Sequence, residues 1–168
     1  MRVAGIILAV AAALALQTAL GRYIRGTVAL NLVLVVVVYV ALMSGPVTGL
    51  LTGTFAGLIQ DALSIGVIGI GGLAKTLVGF LAGIIGTQFI VTQPLPRFCV
   101  FFTATLLHEL VFIGLYTLLD LRHFGAPYAA VAGQAAGNAA VGVVAFQLVE
   151  LLPGAVERRR AAKGRLRR

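Results

Sequence analysis

Residues 45–61 read Gly-Pro-Val-Thr-Gly-Leu-Leu-Thr-Gly-Thr-Phe-Ala-Gly-Leu-Ile-Gln-Asp, so that Gly45, Gly49, Gly53, Gly57 and Asp61 recur at every fourth position. The next apolar segment answers with Lys75, Gly79, Gly83 and Thr87 at the same interval. Residues four apart lie on nearly the same side of a helix, and small side chains there let two backbones approach closely. Such contact counts most in lipid, where the solvent is itself hydrocarbon and offers little hydrophobic drive. A four-residue step drifts by about 40° around a helix of 3.6 residues per turn, so each ridge winds and its two ends face different ways.

The rest of the chain agrees with a lipid setting. Of its 168 residues, 60% are hydrophobic and 11% charged, and the mean hydropathy is +1.06. A helical span needs about 20 residues, so six spans use about 120 and leave short loops and one tail. The reading is an all-α polytopic membrane protein: six transmembrane helices within residues 1–152, then a basic cytoplasmic tail at 153–168. The expected spans are residues 3–20, 28–43, 46–60, 73–90, 98–119 and 128–152, with Ser44-Gly45-Pro46 breaking a stretch too long for one crossing. Residues 62–72, apolar and glycine-rich, are expected to form a re-entrant or interfacial loop. Arg2 ahead of the first apolar run would also suit a signal peptide, but the run has the length of a span and further spans follow, so a retained first helix is expected.

Lys and Arg set the orientation. With both termini inside, the cytoplasmic side receives Arg2, Arg97 and the tail's Arg158, Arg159, Arg160, Lys163, Arg165, Arg167 and Arg168, leaving Arg22, Arg25 and Arg122 outside. The net charge of +8 is therefore chiefly a topology signal. The tail can also hold anionic lipid, at about 1 kcal/mol per basic side chain near the surface. No aromatic or glycine-rich partner elements accompany the charge, which disfavours nucleic acid.

Polar residues inside the spans are costly unless each faces a partner or a wet cavity. Gln17, Asn31, Gln60, Asp61 and Lys75 fall toward the outer side, while Glu109, Gln134 and Asn138 lie deeper. Asp61 and Lys75 end adjacent spans at similar depth and are expected to pair, the alternative being that each snorkels to interfacial water separately. An acid at mid-helix costs about 2.5 to 3.5 kcal/mol to insert, so Glu109 must be protonated or hydrogen-bonded inward. Thr105, Glu109 and Tyr116 form one stripe, Gln134 and Asn138 could supply facing amides, and His108 is expected to point about 100° away from Glu109. The polar stripe reads chiefly as a packing device, with a proton-linked or solute-binding site as the other possibility. Ala11, Ala15 and Ala19 in the first span, and Gly133 and Gly137 in the last, offer further close-contact faces.

Catalysis finds little support. Ser44 and Ser64 lie in no nucleophile-type turn, His108 and His123 lack the carboxylate spacing of a zinc site, and no phosphate-cradling loop is present. The lone Cys99 excludes an internal disulfide and a thiolate cluster. No cofactor or metal is expected.

The segment from Asn31 to Gly83 resembles the rod shape-determining protein MreD family. It carries Leu-Val-Val-Val-Val-Tyr-Val-Ala-Leu, Gly-Pro-Val, Ala-Gly-Leu-Ile-Gln-Asp-Ala-Leu-Ser-Ile-Gly and Leu-Val-Gly-Phe-Leu-Ala-Gly in order. The most specific part is Asp61-x-x-Ser64-x-Gly66, followed by Gly69 and residues 78–83. The resemblance implies a non-enzymatic inner-membrane scaffold of the bacterial elongation complex. It would bind MreC and so link MreB to the RodA/penicillin-binding protein synthase that builds lateral peptidoglycan. The family is also similar in fold to the substrate-binding subunits of energy-coupling-factor vitamin transporters, which makes such a subunit the alternative. On the scaffold reading Gly49, Gly53, Gly57, Asp61, Ser64, Gly66, Lys75, Gly79 and Gly83 serve partner binding or packing. Asn31, Gln60, Glu109, Gln134 and Asn138 line an intramembrane polar groove. The absence of Trp, and Tyr116 as the sole aromatic on the polar faces, favours the scaffold over a vitamin pocket.

Overall fold

A computed structural model describes residues 3–23, 30–64, 66–89, 93–121 and 128–151. They form six helices: α1 (Val3–Tyr23), α2 (Leu32–Ser44), α3 (Pro46–Leu63), α4 (Ile70–Gln88), α5 (Pro94–Leu118) and α6 (Tyr128–Leu151). Four of these, α1, α4, α5 and α6, are long and apolar enough to cross a membrane. Helix α2, with 13 residues, is only about 20 Å long at 1.5 Å per residue, short of a hydrocarbon core of about 30 Å.

Several boundaries differ from those expected. Helix α3 runs on to Leu63 and α4 starts at Ile70, so the expected loop of residues 62–72 shrinks to the turn between them. Helix α5 starts at Pro94, because proline lacks only an N–H that the first turn leaves unpaired anyway. Helix α2 starts later than expected, at Leu32, where the Asn31 side chain caps it by accepting the Leu34 N–H at 3.1 Å. It ends at Gly45, whose φ of +90° favours glycine and turns the chain directly into Pro46 of α3.

Helix α2 packs against each of the other five helices. Its Val33, Val37, Val40 and Ala41 are wholly enclosed. Lipid would solvate these methyl groups nearly as well, so their enclosure gains mainly dispersion contact, which depends on close fit.

That fit is tightest between α3 and α4, the most extensively packed pair. Their glycine ridges meet antiparallel: Gly49 faces Gly79, Gly53 faces the Lys75 backbone, Gly57 faces Gly72, and Gly83 faces Pro46. A Cβ on Gly53 would lie 2.7 Å from the Lys75 carbonyl carbon, and one on Gly57 2.5 Å from the Gly72 Cα. The obstacles are backbone atoms, which cannot swing aside. Thr54 and Thr76 add a hydroxyl contact of 2.8 Å across the same seam.

Candidate functional site

Polar side chains gather at the end of the bundle where α2, α4 and α6 begin and α3 and α5 finish. They enclose a cavity of about 230 Å³ lined by Asn31, Gln60, Asp61, Lys75, His108 and Glu109 among others. A second cavity, of about 220 Å³, reaches Gln17 and Thr18 of α1 and shares Gln60 and Ser64 with the first.

Asp61 and Lys75 do not form the expected ion pair. Asp61 Oδ2 instead accepts the backbone N–H groups of Gly69 at 2.9 Å and Gly72 at 3.0 Å. Those N–H groups open α4 and have no partner within their own helix, so a carboxylate from the preceding helix both caps them and meets the positive end of the helix dipole. A Cβ at Gly71 would press on the Asp61 carboxylate, so a larger residue there would push it off these amides. Gly69, at φ +107°, makes the turn that brings the amides around.

Lys75, only 2% exposed, places Nζ 3.3 Å from His108 Nε2. His108 Nδ1 lies 3.1 Å from Glu109 Oε1, the oxygen that also accepts the Gln134 amide N–H at 3.0 Å. An ammonium can only donate, so His108 Nε2 accepts and its Nδ1–H donates to Glu109. The result is a continuous relay from Lys75 through His108 to Glu109 and Gln134. The expectation that His108 turns away from Glu109 is thus corrected: the Cα directions diverge, but both side chains are long enough to curl together.

Asn138, wholly buried, accepts the Asn31 backbone N–H at 2.9 Å and donates to Thr105 Oγ1 at 3.3 Å. It therefore ties α6 to the starts of α2 and the middle of α5, while Gln134, one turn away, serves Glu109. Ser64 Oγ donates to the Gln60 carbonyl at 2.8 Å and closes α3. Gly66 lies beneath the Tyr116 hydroxyl, which accepts the Val67 N–H at 3.1 Å. Gln60 Oε1 is enclosed and has no hydrogen-bond partner.

The glycines expected to serve partner binding or packing, Gly49, Gly53, Gly57, Gly79 and Gly83, all lie in the α3–α4 seam. By contrast Ala11, Ala15 and Ala19 of α1 are exposed, since that helix packs through Val10 and Ala13. Arg158, Arg159, Arg160 and Lys163 lie outside the described residues.

One ion pair was not foreseen. Arg97, 1% exposed, donates to both oxygens of Glu150, at 2.9 and 2.6 Å, and stacks 4.5 Å over the Phe146 ring. It lies at the opposite end of the bundle from the cavity. Its place just ahead of the fifth span expected from residue 98 suggested a loop charge, and nothing local announces a partner 53 positions away. Among the described residues, no group of three or more His, Cys, Asp or Glu is arranged to hold a metal ion.

A family model described as rod shape-determining protein MreD matches residues 2–153. The chain belongs to the MreD family. The match covers nearly the whole chain, well beyond the Asn31 to Gly83 segment that carries the resemblance. No curated protein and no solved structure shows significant similarity to it. Membership of the MreD family, with four apolar helices of spanning length, makes this a membrane protein with a role in rod shape determination.

Proposed function

We propose that the protein is a non-enzymatic scaffold of the bacterial rod complex, seated in the inner membrane and binding MreC. Through MreC it connects indirectly to MreB and to the RodA/penicillin-binding protein synthase of lateral peptidoglycan. All six helices cross or enter the bilayer within residues 1–152, both termini are cytoplasmic, and the tail from 153 rests on anionic lipid. The observation that carries this reading is the family match over residues 2–153.

Packing supports the division of labour within it. The glycine seam fuses α3 and α4, with α2 against both, so this part of the bundle is committed to its own cohesion. Helix α1 is the least covered of the spanning helices. Its Ala11, Ala15 and Ala19 face offers small residues at four-residue spacing, the surface onto which a single partner span packs closely in lipid. We assign the MreC span to this face.

Affinity purification of the full chain in mild detergent, followed by mass spectrometry, tests the reading. Recovery of MreC is the expected result. Recovery of transporter ATPases with a bound vitamin would overturn it in favour of a substrate-binding transporter subunit of the energy-coupling-factor fold.

A further inference from the structure

The cavity beside Lys75 holds unused hydrogen-bonding capacity of both kinds. Lys75 has three donor hydrogens and one partner, His108. Glu109 receives both of its hydrogen bonds on Oε1, leaving Oε2 open. Gln60 Oε1 is enclosed with no donor at all. A buried ammonium with no carboxylate in contact is costly in a low-dielectric interior, and so is an enclosed carbonyl oxygen with no donor.

Charge narrows what would satisfy them. Lys75 offers donors to the cavity, whereas Asp61 and Glu109 offer it carboxyl oxygens. A purely anionic guest would meet both carboxylates, and a purely cationic one would meet the ammonium. A guest bearing both signs finds a partner for each of its groups. The volume of about 230 Å³ is several times the share of one liquid water, about 30 Å³, so a small headgroup has room.

We propose that this cavity binds a small zwitterionic group. Its acidic oxygen sits on the Lys75 ammonium and its own ammonium on Glu109 Oε2. Two sources share that chemistry: an aminoethyl phosphate lipid headgroup, or a free soluble zwitterion. The inference does not rest on the binding of MreC.

Native mass spectrometry of the full chain in detergent tests it, with phosphatidylethanolamine, phosphatidylglycerol or the soluble diester glycerophosphoethanolamine added as probe. The expected result is retention of a probe carrying both charges at least about tenfold over phosphatidylglycerol, the size of one charge-assisted hydrogen bond. A similar loss is expected in Glu109→Gln and in Lys75→Met. Glu109→Gln keeps the side-chain shape and serves where Lys75→Met does not fold. Retention of the lipid alone assigns a headgroup, and retention of glycerophosphoethanolamine assigns a soluble ligand. Equal or better retention of phosphatidylglycerol, retention unchanged by a folded variant, or no retained probe would overturn the proposal, the last leaving a water-filled cavity. MreC recovery from the same variants is read separately, so failure here leaves the scaffold reading standing.

Discussion

Lys75 rests its ammonium on His108 Nε2 at 3.3 Å and leaves Asp61 to the amides of Gly69 and Gly72. Two residues of opposite charge at neighbouring helix ends thus do separate tasks. Asp61 fixes where α4 begins, and Lys75 joins α4 to α5 through the imidazole. The consequence is that neither can take the other's place.

Exchanging the two charges, Asp61→Lys with Lys75→Asp, is therefore expected to rescue nothing. Each single change leaves a buried or half-buried group without its partner, at a cost of about 3 kcal/mol for an enclosed charge. Thermal unfolding in detergent should rank the double variant no higher than the worse single one. Recovery to near the parent's stability would show that the two charges do act as a pair.

Along the glycine seam, Gly53→Ala and Gly57→Ala are expected to destabilise by about 1–3 kcal/mol or more, as overpacking does when backbone blocks the added methyl. Gly114→Ala is the control, since its Cβ would meet nothing within 4 Å. It should be neutral or slightly stabilising, because alanine is the better helix former. Unfolding midpoints of the three variants, measured side by side, check this.

At the other end of the bundle, Arg97→Ala should cost about 3 kcal/mol by removing both hydrogen bonds to Glu150 and emptying the space over Phe146. Arg97→Lys keeps the charge but loses the two-pronged grip on both carboxylate oxygens. It should recover only part of that loss. A double-variant cycle with Glu150→Gln measures the coupling, and a coupling near zero would contradict the assigned pair.

Asn138→Leu should cost about 1–3 kcal/mol, since it leaves the Asn31 N–H without an acceptor at the first turn of α2. The damage should concentrate locally. Hydrogen exchange is expected to accelerate at Asn31 ahead of the glycine seam.

Much of this architecture is legible in the residues themselves. The four-residue glycine spacing gives the α3–α4 contact because a seam of small residues has few other uses in lipid, and Gly45-Pro46 marks the α2–α3 turn through backbone conformation alone. Charge partners were less legible. Asp61 could be placed at the end of α3, but the sequence does not say that the turn at Gly69 would present backbone donors closer than Lys75. For His108 and Glu109, helical angle was a poor guide because long side chains bend across the arc between them. Arg97 read as a loop charge because the fifth span was expected to start at residue 98, whereas the first turn of α5 accommodates Pro94 and Pro96 and so begins earlier. The cavity followed only in outline: Asn31, Gln60, Asp61, Lys75 and Glu109 were singled out as polar residues inside spans and Tyr116 as sharing the Glu109 stripe, but His108 enters the wall through tertiary packing, against its expected direction.

The central claim is that the glycine ridges hold this protein together while the alanine face of α1 holds its partner. Ala15→Leu tests it most directly, because the added bulk projects from an exposed position and leaves the seam intact. Purified in mild detergent from cells containing MreC, this variant should unfold at the parent's temperature yet lose most of its co-purifying MreC. Full recovery of MreC with Ala15→Leu would contradict the account.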